Sequence, residues 1–205
     1  IIAEAGVNHN GDMELARKLI DVAADAGADL VKFQTFNADR QVTRKASKAN
    51  YQKKTTDGTE TQHAMLRSLE LSPKMHKKLI DHCKMRGIRF FSTGFDIESV
   101  NLLVGFGQTL FKIPSGEITN IPYLRYLAKL GVPLVLSTGM SNLKEVERAV
   151  QIFRAADCQE FCILHCTSNY PAAFESVNLK SMDTMREAFD CPVGYSDHTL
   201  GIEIS

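Results

Sequence analysis

Apolar positions along the chain follow two alternating rhythms. Short runs rich in β-branched and aromatic residues, over positions 1–6, 29–34, 88–93, 109–115, 133–138, 161–167 and 192–196, predict strands. Between them the apolar residues recur at three- and four-residue spacing, as on one face of a helix. In the first such stretch Leu15, Leu19, Val22, Ala23 and Ala26 form the expected stripe, and Gly27 stands where a helix would end in a left-handed turn. The second is better punctuated. Ser72 can cap the free N–H groups and Pro73 suits the first helical position; Met75, Leu79, Ile80 and Cys83 then form the stripe, and Gly87 ends it. Gly131 plays the same stop role before the fifth strand. Strands joined through helices in this way predict an α/β fold with a parallel sheet.

Periodicity alone fits an open doubly wound sheet or a closed (β/α)8 barrel short of its last unit. The polar residues favour the barrel, because nearly every strand ends on its C-terminal side in a polar cluster. These are Glu4 with Asn8 and His9, Lys32 with Gln34, Ser92 with Thr93, Lys112 with Ser115 and Glu117, Ser137 with Thr138, His165 with Thr167 and Ser168, and Ser196 with Asp197 and His198. An open sheet draws on a few strand ends at a switch point, whereas a barrel gathers all of them round one mouth. One connection is out of scale. Positions 36–71 carry Asp39, Arg40, Arg44, Lys45, Lys48, Lys53 and Lys54 with a helix-like stretch over 60–69, which suits either a lid over an anionic substrate or a solvated excursion.

Composition narrows the partners. The 205 residues are 44% hydrophobic, and 24 basic residues balance 24 acidic ones, so one globular domain over 1–205 is expected, with no field to gather nucleic acid or a membrane surface. No apolar run is long enough to cross a bilayer and no leader pattern precedes the first strand, so a cytoplasmic location is expected. The chain opens at Ile1 inside an apolar run and stops at Ser205 just after a functional-looking motif, which suggests that both ends are cut. Cys83, Cys158, Cys162, Cys166 and Cys191 are read as reduced thiols; the four-residue spacing of the middle three fits buried small hydrophobes better than a metal cluster.

Lys32 and Gln34 lie two apart on a strand and share a face opposite Val31 and Phe33. An inward ammonium demands a counter-charge or a bound anion. Lys112 makes the same demand, and two such lysines round one cavity suit a phosphate. An ion pair with Glu4 or Glu117 would explain either lysine equally well, and a Schiff-base lysine, as in a class I aldolase, is a further reading. Thr93, Ser115, Ser137 and Ser196 end four strands and could donate to an oxyanion; singly, each would be an ordinary turn residue. His198 could bind a divalent metal or be a hydrogen-bonded structural residue, and Asp197 is placed to orient the site.

The ordered set Ile1-Ile-Ala-Glu-Ala-Gly-Val-Asn-His-Asn-Gly11, Val31-Lys-Phe-Gln34, Lys112-Ile-Pro-Ser-Gly-Glu117, Leu136-Ser-Thr-Gly-Met140, His165-Cys-Thr and Gly194-Tyr-Ser-Asp-His-Thr199 closely resembles the N-acetylneuraminate (sialic acid) synthase family. The resemblance implies a TIM barrel, here short of its last strand–helix unit, followed in relatives by an antifreeze-like domain in a domain-swapped homodimer. It implies condensation of phosphoenolpyruvate with N-acetylmannosamine, with release of phosphate and assistance from manganese or magnesium. Legionaminate, pseudaminate and spore-coat polysaccharide synthases of the same family are the alternatives, and a non-catalytic fragment that binds phosphoenolpyruvate is another. By likeness, Lys32, Thr93, Lys112, Ser115, Ser137, Tyr170 and Ser196 would hold phosphoenolpyruvate. Glu4, Gln34 and Glu117 would face the acetamido sugar, Glu117 moving the proton, and His198 would be one metal ligand, with the second beyond Ser205. The chain departs from the family at Ser168, where relatives carry an asparagine that contacts phosphoenolpyruvate; Asn169 is next to it.

Overall fold

The structure, a computed structural model, describes residues 1–49, 52–53 and 60–205. Lys54 lies outside the described residues. The chain divides into two compact units, Ile1–Gln108 and Thr109–Ser205.

The first unit is a three-stranded parallel sheet in the order β1 (Ile2–Gly6), β2 (Leu30–Thr35) and β3 (Arg89–Gly94). Helix α1 (Met13–Asp25) connects the first two strands. The short α2 (Ala38–Gln41), α3 (Gln62–Ser68) and α4 (Pro73–Arg86) lie between the second and third, and α5 (Ile97–Gly105) follows. Val31 and Phe33 turn away from Lys32 and pack with Ile20 of α1 and with Leu79 and Cys83 of α4 in one buried cluster. The predicted punctuation of α4 is observed: the Ser72 hydroxyl accepts the Met75 N–H, and Gly87 closes the helix at φ 70°. Without a Cβ, glycine enters that left-handed region at little cost.

The stripe expected for α1 is corrected in part. Ala23 is buried and Leu19 packs on the core as expected, and Ala16 and Ile20 complete the buried line, whereas Val22 is 67% exposed and Ala26 lies on the surface. The carboxylates of Asp21 and Asp25, on the other edge of α1, pair with His82 and Arg86 of α4.

Part of the charge of the basic connection is paired within it. Asp39 accepts from His63 and Arg67 of α3, both at 2.8 Å, and these bonds hold its carboxyl below the usual carboxylate range. Arg40 reaches Asp96, and Lys48, only 5% exposed, pairs with Glu60 at 2.8 Å.

The second unit is a four-stranded parallel sheet in the order β4 (Phe111–Ile113), β5 (Leu134–Ser137), β6 (Phe161–Cys166) and β7 (Val193–Ser196). Helices α6 (Ile121–Ala128), α7 (Leu143–Ala155) and α8 (Ser181–Phe189) connect successive strands. Strand β4 is shorter than the predicted 109–115 because Pro114 has no N–H for the ladder, and the chain turns into a 3-10 segment at Ser115–Glu117. Cys162 and Cys166 alternate onto one face of β6, Cys158 precedes it, and burial raises the Cys158 and Cys162 thiols above their ordinary range. No helix among the described residues is long and apolar enough to cross a membrane.

Truncating the fully buried Leu79 removes packing between α4 and the first sheet. Leu79→Ala is expected to cost about 2–5 kcal/mol in a urea titration, against about 1 kcal/mol for loss of the cap in Ser72→Ala.

Candidate active site

In the first unit, parallel register sets Glu4 of β1 opposite Lys32 of β2, and the Lys32 ammonium forms an ion pair with the Glu4 carboxylate. Lys32 is 7% exposed while Glu4 is half-exposed, so the pair bridges from the sheet interior to its open edge. The counter-charge expected for an inward lysine is therefore present. Gln34 follows on the same face and stands opposite Thr93 of β3. A Cβ on Gly6 would lie 3.0 Å from Glu4 Oε1 and 3.8 Å from Gln34 Nε2, so the missing side chain leaves room where these two groups converge. Thr93 is buried, and its hydroxyl finds no hydrogen-bond partner among the described residues.

In the second unit, Lys112, Ser137 and Ser196 share one face through the β4–β5–β6–β7 register. Ser137 is 2% exposed, and its Oγ also lacks a partner among the described residues. Ser115 Oγ lies 3.2 Å from Ser168 Oγ. Ser168 crowds Gly139, where a Cβ would fall 2.5 Å from Ser168 Oγ and 2.8 Å from Cys166 Sγ, so this turn after β5 admits glycine alone. Glu117, half-buried at the end of the 3-10 segment, accepts from Asn120 Nδ2 at 2.7 Å.

His198 is fixed by the main chain. Its Nδ1 lies 2.7 Å from the Thr167 carbonyl oxygen. A carbonyl only accepts, so Nδ1–H donates, and in the neutral ring Nε2 holds the lone pair. That nitrogen lies 3.4 Å from Ser196 Oγ, and the Tyr170 ring packs 4.4 Å from the imidazole. Asp197, expected to orient the site, makes its bonds within the turn that carries His198. It accepts from the Thr199 N–H and hydroxyl, both at 2.8 Å, from Tyr195 at 3.1 Å and from Ser205 at 2.5 Å. Burial works to raise its carboxyl, but these bonds outweigh it and hold the group down at about 2. Asp197 thus orders the turn after β7.

Three polar residues counted among the strand-end clusters turn elsewhere. Ser92 bonds Thr35 at 2.7 Å, His165 donates to the Val177 carbonyl at 2.6 Å, and Thr138 to that of Leu164 at 2.9 Å. Each sits one position off the register that carries the lysines. Sequence reasoning quoted Gly139 within the motif Leu136–Met140 but gave it no role, and the carbonyl of Thr167 carries no sequence signal at all.

A parallel α/β chain that sets lysines, unpartnered hydroxyls and an oriented imidazole at the carboxyl ends of its strands has the makings of an enzyme for anionic small molecules. Residues 19–205 match the NeuB family model, and the chain belongs to that family. It is 56% identical, over 100% of its length and 62% of the relative's, to an N,N'-diacetyllegionaminic acid synthase of Campylobacter jejuni. It is 50% identical to the enzyme of the same name from Legionella pneumophila, covering 98% of this chain and 58% of the relative. A human N-acetylneuraminate-9-phosphate synthase is 38% identical over 100% of this chain and 57% of its own length. The chain thus spans less than two thirds of the relatives it matches.

Among solved structures, the N-acetylneuraminic acid synthetase of Leptospira borgpetersenii in complex with citrate superposes with a TM-score of 0.87 at 36% identity, over 99% of this chain and 66% of that one. A Thermotoga maritima DAHP synthase, an enzyme of TIM-barrel type, matches at a TM-score of 0.65 and 11% identity over 97% of this chain and 51% of that one, a likeness of fold alone.

The Asp197 carboxyl adds stability above its ordinary value near about 4, and that contribution is lost as pH falls through about 2. Asp197→Asn is expected to lower the urea midpoint at pH 7, and the gap from the parent should close in acid; a gap that stays constant from neutral to strongly acidic pH would contradict this assignment.

Proposed function

We propose that the whole protein condenses phosphoenolpyruvate with an acetamido aldose to give a nonulosonic acid and phosphate, and that the two parallel sheets are arcs of one (β/α)8 barrel short of its last unit. The observation that carries this reading is the pair of buried hydroxyls without a partner among the described residues, Thr93 Oγ1 and Ser137 Oγ, on the same sheet faces as Lys32 and Lys112. A buried hydroxyl left unbonded costs about 1–3 kcal/mol, which a bound oxyanion would repay. Lys32 and Lys112, with Thr93, Ser115, Ser137, Tyr170 and Ser196, hold the phosphate and carboxylate of phosphoenolpyruvate. Glu4, Gln34 and Glu117 face the sugar.

Carbon 3 of phosphoenolpyruvate attacks the aldehyde carbon, water adds at carbon 2, and the C–O bond to phosphate breaks there. Lys32 and Lys112 stabilise the departing phosphate, and Glu117 moves the proton. An ammonium already paired with Glu4 has no lone pair for a Schiff base, which speaks against the aldolase reading of Lys32. Manganese or magnesium fits His198 as one ligand, because Nδ1 is occupied by Thr167 and Nε2 keeps its lone pair. No group of three His, Cys, Asp or Glu able to hold a metal occurs among the described residues, so further ligands would come from outside them. When bound, such an ion supplies polarisation of a carbonyl oxygen. A homodimer located in the cytoplasm completes the proposal.

The acceptor placed first by the family resemblance is N-acetylmannosamine. The names of the relatives at 56% and 50% identity favour a sugar with two acetamido groups. Phosphate release by the whole protein, assayed against both kinds of sugar, should be faster with the diacetamido hexose, and preference for N-acetylmannosamine would return the first assignment. Lys112→Ala is expected to abolish phosphoenolpyruvate binding in calorimetry, and Glu117→Gln to lower kcat by about 10²–10⁴-fold with binding kept. Undiminished affinity in Lys112→Ala, or borohydride trapping of a carbonyl substrate on either lysine, would overturn the reading.

A further inference from the structure

Away from the strand ends, the second unit carries a trough of about 840 Å3 between α6 and α7. Arg125 and Lys129 rise from the α6 wall and Arg148 from the α7 wall. None of the three makes an ion pair among the described residues. Glu145 and Glu147, next to Arg148 in the sequence, accept from the Asn142 N–H at 2.8 Å and from Gln151 at 3.4 Å rather than from these cations. Three exposed cations thus face one trough whose lining also carries the carboxylate of Asp157. Their chain positions place Lys129 and the end of α7 beside the starts of β5 and β6, opposite the ends that carry Ser137 and Ser196.

We propose that this trough binds a nucleotide carrying two or more phosphoryl groups. Arg125 and Lys129 stand one helical turn apart, about 6 Å along the axis, with Arg148 facing them, a spread that suits a polyphosphate better than a single phosphate. Ile121, Ile152 and Ala155 supply an apolar surface for a planar base. Asp157, at the end of α7, is a carboxylate acceptor for sugar hydroxyls; it already accepts from Gln159 at 2.7 Å and has lone pairs left. The volume lies in the range of about 300–1,000 Å3 usual for small-molecule sites. An extended acidic peptide would need a longer track than the roughly 12 Å between positions 121 and 129.

Calorimetric titration of the whole protein with ADP and with UDP, in parallel with inorganic tripolyphosphate, tests this. Saturable one-to-one binding of a nucleotide with Kd below about 1 mM is expected. It should weaken at least about tenfold in Arg125→Ala/Arg148→Ala and in the milder Arg148→Gln, both checked for folding by circular dichroism. Lys112→Ala should bind the nucleotide as the parent does, which separates this site from the one proposed for phosphoenolpyruvate. Absence of binding, unchanged affinity in the folded arginine variants, or displacement by phosphoenolpyruvate would overturn the proposal. So would tripolyphosphate binding as tightly as either nucleotide, the mark of a bare polyanion patch.

Discussion

An ammonium inside a parallel sheet survives only where something negative meets it, and that requirement organises the first unit. Strand β2 must place Val31 and Phe33 against α1 and α4, and the two-residue alternation then forces Lys32 and Gln34 to the opposite face. Parallel register brings Glu4 alongside, so the charge is held in the sheet before any ligand arrives. One packing decision on the helix side thereby sets the chemistry on the other.

The second unit obeys the same alternation and sets hydroxyls on the face that carries Lys112. Leu134 and Leu136 fill the helix side of β5, while Ser137 lies buried on the other, its hydroxyl without a partner among the described residues. Natural proteins rarely leave a buried hydroxyl unpaired without a use for it. Cation and donor thus arrive on one face from neighbouring strands without any loop having to be shaped for them.

Much of this was legible in the chain. Strand and helix order, the Ser72–Pro73 start and Gly87 stop of α4, and the shared face of Lys32 and Gln34 follow from period and punctuation alone. The misreadings have physical causes. In α1 the buried line runs through Ala16, Ile20 and Ala23 and leaves Val22 exposed, because a helix face is set by its rotation against the sheet, which the apolar pattern left ambiguous between neighbouring positions. His165, Ser92 and Thr138 looked like lining of the mouth, but a one-residue shift in register sends a side chain to the other face, and sequence clusters do not record that parity. The donors that meet Asp197 could not be read from its adjacency to His198, which says nothing about which of several nearby groups its oxygens accept from.

The anchor of His198 is a peptide oxygen rather than a side chain. Replacing Thr167 alters what projects from that position but leaves the acceptor in place, so the ring inherits its bearing from the path of the backbone after β6. A natural or engineered variant could therefore diversify the identity of residue 167 while the imidazole nitrogen keeps its aim, whereas lengthening or shortening the chain between β6 and that carbonyl would turn the ring away.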